Sequence, residues 1–312
     1  MSTRSILGFI YTMEGLRGCG VDVDKCLKNL GINLAQLSPD AEIERSHELR
    51  LIEAMVREVR DPLAGLKAGA IRSLAGYGPL TMLLVTCINP WDALQNGVKY
   101  QALTYLFGTL SLIPGERLSA LSIKPVPLPP ACRRFVIDRD LGGTYQLIRD
   151  LQVNLGIDVN PQKIVFPYSK PREYKAYEQH FPFEVAWDGA EGQIIFRNED
   201  ALIPFPHSNR TAYLMYKKQC DQLLQKRDCA LNRLAEQVAG HLQLFIEQFP
   251  TAEEVARTFG MSERSFRRKL SVESTSFRKV LDEVRFSKAR ELLQDKSLSI
   301  DSVAQRLGYA EA

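Results

Sequence analysis

Apolar residues recur at intervals of three and four along much of the chain. Leu49, Ile52, Met55, Val56 and Val59 share one face at helical spacing, which predicts a helix over 44–59. Comparable patterns predict helices over 4–17, 22–30, 63–73, 79–87, 90–107 and 138–154. Short apolar and alternating runs predict strands over 108–113, 117–123, 163–167 and 193–197. The proline-rich KPVPLPP (124–130) admits no regular element and bridges two of them. Together these give an α+β N-terminal domain with a small, mainly antiparallel sheet.

The last third is helical throughout and contains a repeat. TAEEVARTFGMSE (251–263) aligns with SIDSVAQRLGYAE (299–311) at a constant offset of 48 residues. Val255 matches Val303, Ala256 matches Ala304, Phe259 matches Leu307, and Gly260 matches Gly308. Each unit begins as a short helix whose alanine lets a neighbouring helix approach. Its glycine supplies the positive φ that ends the helix. In the first unit Ser262 is an N-cap residue and Glu263 sits where a carboxylate favours the helix dipole. A second helix is predicted from Glu263 to Val272, with Phe266 and Leu270 inward. Val255, Ala256, Gly260, Phe266 and Leu270 are therefore the expected core of a helix-turn-helix. Leu234, Val238, Leu242, Phe245, Ile246 and Phe249 are spaced as a helix ahead of this unit. Phe277, Val280, Leu281, Val284, Ala289, Leu292 and Leu293 predict a long connecting helix between the units.

Charge sharpens this picture. Nine Lys and Arg lie between Arg264 and Arg290 against three Asp and Glu, a surplus of six where the whole chain has a net +3. With Phe266 and Leu270 inward, Arg264, Arg267 and Arg268 form an outward stripe at i, i+3 and i+4. A basic helix face alone is commonly just solvated. The glycine turn, serine cap, repeat and outward stripe together favour a helix that enters the DNA major groove. Arginine's planar fork matches guanine O6 and N7 there.

Composition excludes other classes. At 45% hydrophobic and 25% charged the chain is neither disordered nor membrane-spanning, and no run of about 18 apolar residues occurs. MSTRSILGFIYTMEG lacks a cleavage signature and is expected as a packed helix. Six cysteines are scattered without metal-ligand spacing, as in reduced thiols of a cytoplasmic protein; Cys220 and Cys229 leave a smaller redox reading. His47 and His180 read as surface or satisfied side chains. No phosphate loop or nucleophile motif is present, so neither an enzyme, a metal nor a cofactor is expected.

The stretch from Pro250 to Ala312 resembles the DNA-binding domain of AraC/XylS-type transcription regulators, most closely in S-F-R-x-x-L-D-E-V-R (276–285) and L-S-I-x-x-V-A-x-x-L-G-Y (298–309). The likeness covers about 233–312. It implies two helix-turn-helix units joined by a long helix and set in successive major-groove segments. It places the base-reading positions on Arg264, Arg267 and Arg268. Ser262, Ser265, Lys269 and Ser276 fall beside phosphates, the last in the Ser274–Phe277 loop. GYGPLTMLL (76–84) and NPWDALQNGVKY (89–100) resemble the N-terminal, arabinose-binding-type domain of a subgroup of these regulators, which implies that residues 1–207 sense a small molecule. No effector-contacting residue carries over. Tyr77, Trp91, Tyr100 and Tyr105 are candidates for a pocket, though core roles are favoured.

One departure stands out. Glu311 corresponds to Glu263, so the chain stops at Ala312 before counterparts of Arg264–Leu270 appear. The expectation is a C-terminal end cut short, with the second unit incomplete and 298–312 frayed or held by a neighbour. The expected division is a regulatory domain over 1–207, a linker helix over 208–232 and a DNA-binding domain over 233–312. Leu214, Cys220, Leu223, Leu224 and Leu231 form an apolar stripe on that linker, fit either for dimerisation or for packing on the sensory domain. The resulting function is a cytoplasmic transcription regulator, for which the sequence leaves both activator and repressor open. Its partners would be double-stranded DNA, a small-molecule effector, RNA polymerase and a second copy of the chain. The alternative is a helical protein-interaction adaptor whose basic face is idle.

Overall fold

The computed structural model describes residues 3–29, 41–71, 74–232, 234–243, 245, 249–293 and 299–307. Strand β1 (Thr3–Ser5) leads into α1 (Leu7–Gly18) and α2 (Val23–Asn29), and β2 (Glu42–Glu44) follows. Next come α3 (Arg45–Val56), α4 (Ala64–Ala70), α5 (Pro79–Val85) and α6 (Pro90–Lys99). Strands β3 (Thr109–Ile113) and β4 (Leu118–Lys124) precede the long α7 (Pro130–Leu155). Then run β5 (Lys163–Val165), α8 (Tyr174–His180), β6 (Glu184–Ala186), β7 (Gly192–Arg197) and the one-turn α9 (Asn198–Ala201). The chain continues as α10 (Arg210–Asn232), α11 (Leu234–Leu242), α12 (Ala252–Thr258), α13 (Glu263–Val272), α14 (Phe277–Leu292) and α15 (Ile300–Arg306).

These elements gather into two units that interleave in sequence. One holds residues 7–21 and 55–225; the other holds the described parts of 1–6, 22–54 and 226–312. The sequence reading divides the chain linearly, whereas the contacts bring its first strand and residues 41–54 to the C-terminal helices.

The first unit is built on a five-stranded sheet ordered β3-β4-β7-β5-β6, antiparallel except between β5 and β6. Leu110, Leu121, Ile123, Ile164 and Ile194 pack with Ile137 and Leu141 of α7. Proline explains where α7 starts: Pro130 occupies the first turn, where a missing N–H costs nothing, so the helix begins well before the expected 138. Gly156 ends it at φ +67°. Helix α4 lies almost backbone to backbone on α7. A Cβ on Gly69 would fall 2.4 Å from the Arg139 carbonyl oxygen, and one on Gly65 2.6 Å from that of Phe135. The helix expected over 90–107 stops at Lys99 because Gln101 turns to the sheet. Its side chain accepts from Leu110 N at 2.7 Å and donates to Leu110 O at 3.1 Å. Arg139 is fully buried. It donates to Thr12 Oγ1 at 2.8 Å and pairs with Asp140, whose other oxygen accepts from Phe107 and Gly108 N.

Part of the linker stripe on α10 packs within the first unit and part is exposed. Cys220 is buried and Leu224 packs with it against the α5–α6 core, while Tyr100 donates to Asp221 at 2.7 Å. Leu214, Met215 and Leu223 stay exposed. The Leu231 and Cys229 side chains lie outside the described residues.

In the second unit, Leu234, Val238 and Leu242 of α11 pack with Val255, Ala256, Phe259, Phe266, Leu270, Val280 and Val284. The other side of α11 meets the antiparallel β1–β2 pair. Buried Arg4 donates twice to buried Glu48 at 2.6 Å, and the His47 ring packs edge-on to His241. Burial, reinforced by the Arg50 charge, lowers the His47 imidazole to about 4; burial, with His47 and Arg50 adding to it, lowers His241 to about 3. Strands β1, β2 and β6 were not expected, because three residues are too short to show alternation. Helix α8 was also missed. Helix α15, in the stretch expected to be frayed or held by a neighbour, is formed, with Val303 and Leu307 buried. Residue 298 and residues 308–312, including Gly308, lie outside the described residues.

Candidate nucleic-acid interface

Caps, turns and packing set α13. Thr251 opens α12 with a capping box: its hydroxyl accepts from Glu254 N, and the Glu254 carboxylate accepts from Thr251 N at 2.8 Å. The Glu254 carboxyl is accordingly held below the usual range, first by the Thr251 backbone donor. Gly260 turns the chain at φ +66°. Ser262 then caps α13, accepting from Ser265 N at 3.3 Å. Ser299, its neighbourhood matched to Thr251 by the 48-residue offset, caps α15 by accepting from Ser302 N at 3.1 Å.

Phe266 and Leu270 are fully buried, which fixes the rotation of α13. Arg264, Arg267, Arg268 and Lys269 are all exposed. Arg267 is engaged within the helix: its guanidinium meets Glu263, one turn back, at 2.6 Å. Such an exposed pair is weak and easily exchanged for another anion. Ser265 is half-buried, with its hydroxyl 3.1 Å from that of Ser262. Ser276 caps α14, its hydroxyl accepting from Lys279 N at 3.3 Å. The bend between α13 and α14 is made by Ser274 at φ +58°, closed by Thr275 N donating to Leu270 O.

Two of the nine basic residues counted in the sequence do not belong to the open surface. Lys288 is buried and donates to the carbonyls of Gln243 and Phe245 at 2.6 and 2.8 Å, closing the end of α11. Arg285 is half-buried over the Phe249 ring. Their charges serve the core of the domain, and the exposed footprint is smaller by two. Sequence reasoning also missed Glu273. Its carboxylate accepts from Leu234 N at 2.6 Å and Ala235 N at 2.8 Å, tying the end of α13 to the start of α11. A glutamate after a helix carries no local signal of such a distant cap.

The first unit holds a cavity of about 130 Å³. Leu80, Leu84, Leu147, Leu151, Ile194 and Phe205 are among its walls, and Tyr77 is the one aromatic candidate from the sequence that lines it. Tyr100 and Tyr105 are buried in the core, and Trp91 stands against Phe196. Burial pushes the Cys220 thiol up to about 11, away from the reactive thiolate. Among the described residues no three His, Cys, Asp or Glu side chains cluster to hold a metal, and no helix is long and apolar enough to cross a membrane.

Comparison with known proteins finds matches for two stretches of the chain. A model of the arabinose-binding domain of AraC transcription regulators, N-terminal part, matches residues 20–205, and one of a helix-turn-helix domain matches 255–312. The chain is similar to the HTH-type transcriptional regulator Rv1395 of Mycobacterium tuberculosis, 26% identical over 94% of this chain and 86% of that one. It is also 26% identical to the HTH-type transcriptional regulator VqsM of Pseudomonas aeruginosa, over 88% of this chain and 85% of that one. The ornithine utilization regulator of the same organism is 25% identical over 81% and 73%. Among solved structures, the transcriptional regulator CdpR from P. aeruginosa superposes with a TM-score of 0.51 at 25% identity, covering 93% of this chain and 90% of that one. The chain belongs to the AraC-type transcription regulators that carry an arabinose-binding-type domain ahead of a helix-turn-helix domain.

Proposed function

We propose that this regulator reads duplex DNA through Arg264, Arg267 and Arg268 while Ser262, Ser265, Lys269 and Ser276 meet phosphates. The carrying observation is the exposure of those arginines on a helix whose opposite face, Phe266 and Leu270, is locked in the core. On DNA, Arg267 would exchange Glu263 for a base edge, and its planar fork suits guanine. Lys269, a compact point charge, suits a phosphate. Arg278 and Lys279, exposed beside Ser276, extend the phosphate-facing strip.

In this reading the arabinose-binding-type domain takes a small effector, which acts by favouring one arrangement of the protein over another. Exposed Leu214, Met215 and Leu223 on α10 suit a second copy of the chain, making a homodimer. The protein works in the cytoplasm and delivers its signal to RNA polymerase.

Selection of bound duplexes from a random pool tests the DNA reading. The chain should enrich one motif, and the Arg264/Arg267/Arg268 triple-alanine variant should lose it. Arg267→Ala alone should cost roughly 1–3 kcal/mol on the selected site and relax its base preference, whereas Lys269→Ala should weaken all sequences about equally. Identical behaviour of the two single variants would overturn the division into base-reading and phosphate residues.

A further inference from the structure

Taking the effector-responsive regulator above as premise, we propose that the cavity of the first unit takes a single-ring amine: an aromatic or cycloaliphatic body carrying an ammonium group. Space, wall and charge each contribute to the assignment.

The space is made by small residues. Ala93 and Gly97 lie one turn apart on α6, with Gly143 on α7 and Ala201 on α9. Glycine weakens a helix interior, and an approaching backbone often explains its presence. Here none approaches: a Cβ on Gly97 would meet nothing within 4 Å. The helix therefore faces a gap at that position. At about 130 Å³ the gap is a little smaller than the ~150 Å³ apolar cavity known to hold benzene, so it takes one six-membered ring, and its open side leaves room for a short arm.

The wall suits such a ring and opposes a sugar. Leucine, isoleucine and phenylalanine dominate it, and each buried sugar hydroxyl would need a polar partner. Three of the six polar side chains on the lining already have partners. Thr144 donates to Asp140 O at 2.7 Å, Thr104 to Gln101 O at 2.7 Å, and Gln152 accepts from Arg149 at 3.1 Å.

Charge selects the head group. No lysine, arginine or histidine lines the cavity, so a carboxylate entering it would lose water without gaining a counter-ion. The one charged residue on the lining is Asp200, half-buried, whose carboxylate has no ion-pair partner among the described residues. An ammonium supplies the missing partner through a charge-assisted hydrogen bond.

Calorimetry on the full chain without DNA tests this with benzylamine, benzyl alcohol, benzoate and L-arabinose. Benzylamine should bind tightest, about 10-fold above benzyl alcohol, while benzoate and arabinose show no saturable heat. Asp200→Asn should bring benzylamine down to the alcohol's level and leave the alcohol unchanged. Gly97→Leu fills the gap and should abolish binding of both, with the melting temperature held or raised to show that the fold survives. The assignment is overturned if benzoate or arabinose binds as well as benzylamine, if no aromatic probe binds, or if benzylamine binding ignores both substitutions. Asp200-dependent binding alongside a failed duplex selection would sink the DNA reading and leave the ligand class standing. The reverse pair of results would sink the ligand class alone.

Discussion

Asp138 is fully buried on α7, and its carboxylate accepts hydroxyls from Tyr168 and Tyr177, the latter at 2.6 Å. Burial pushes this carboxyl up to about 7, against the pull of those donors and of the Arg134 guanidinium. A raised folded-state value means that the fold favours the protonated form. The stability that Asp138 contributes is thus full below its unfolded value near 4 and is lost as pH rises through about 7. Denaturant unfolding between pH 5 and 8 should show wild type losing ground to Asp138→Asn as pH rises, by at most about 1.4 kcal/mol per unit. A difference that is flat with pH would mean Asp138 stays ionised in the fold. Residues of this kind mark the limit of sequence reading. Arg264, Arg267 and Arg268 were legible because their exposure follows from the periodicity of their own helix. Lys288 was counted as surface charge, since nothing nearby in sequence announces the carbonyls of Gln243 and Phe245 that bury it. Asp138 was invisible as a special carboxyl for the same reason, its partners lying 30 and 39 residues away.

Whole elements were far more legible where caps and punctuation coincide with periodicity. Helix α13 occupies the span expected from Ser262 and the Phe266–Leu270 pair, and α14 runs through the expected connector. The two turns that flank α13 solve one problem with different residues. Gly260 enters the left-handed region at φ +66° without a Cβ penalty, while Ser274 enters it at φ +58° with one. Opposite outcomes follow. Gly260→Ala should destabilise the unit by about 1–2 kcal/mol, and Ser274→Gly should stabilise it by up to about 1 kcal/mol, both read by urea unfolding. If Ser274→Gly destabilises instead, the serine side chain supplies a contact worth more than the strain. The elements that escaped prediction were short strands, the two-turn helix α8 and ends decided by partners elsewhere in the chain. Helix α6 stops where Gln101 takes over the backbone of Leu110, an event its own apolar spacing does not encode.

At the scale of the molecule, the linear order of domains and their assembly differ. Periodicity is a local signal, and it gave no reason to place β1, β2 and the start of α3 with helices about two hundred residues later. The reason lies in the shape of α11. One side of that helix packs on α13 and α14 through Val238 and Leu242. On the other, a Cβ on Gly240 would come within 3.0 Å of the Glu42 Cβ, and His241 receives the His47 ring. An α11 stripped of the N-terminal segments would expose that second side to water, including an imidazole that burial holds neutral. A fragment spanning 226–312 should therefore keep the caps and core of α12–α14 yet protect α11 poorly. Hydrogen exchange followed by mass spectrometry should find the amides of 234–242 opening at least about 10-fold faster in the fragment than in the full chain, with 263–272 affected less. Equal protection in both would mean that the C-terminal helices alone hold α11. The N-terminal strands would then be passengers on the unit in which they lie. The expected loss instead makes residues 3–5 and 41–54 part of the scaffold that sets α13, because α11 is where Glu273 anchors the end of that helix.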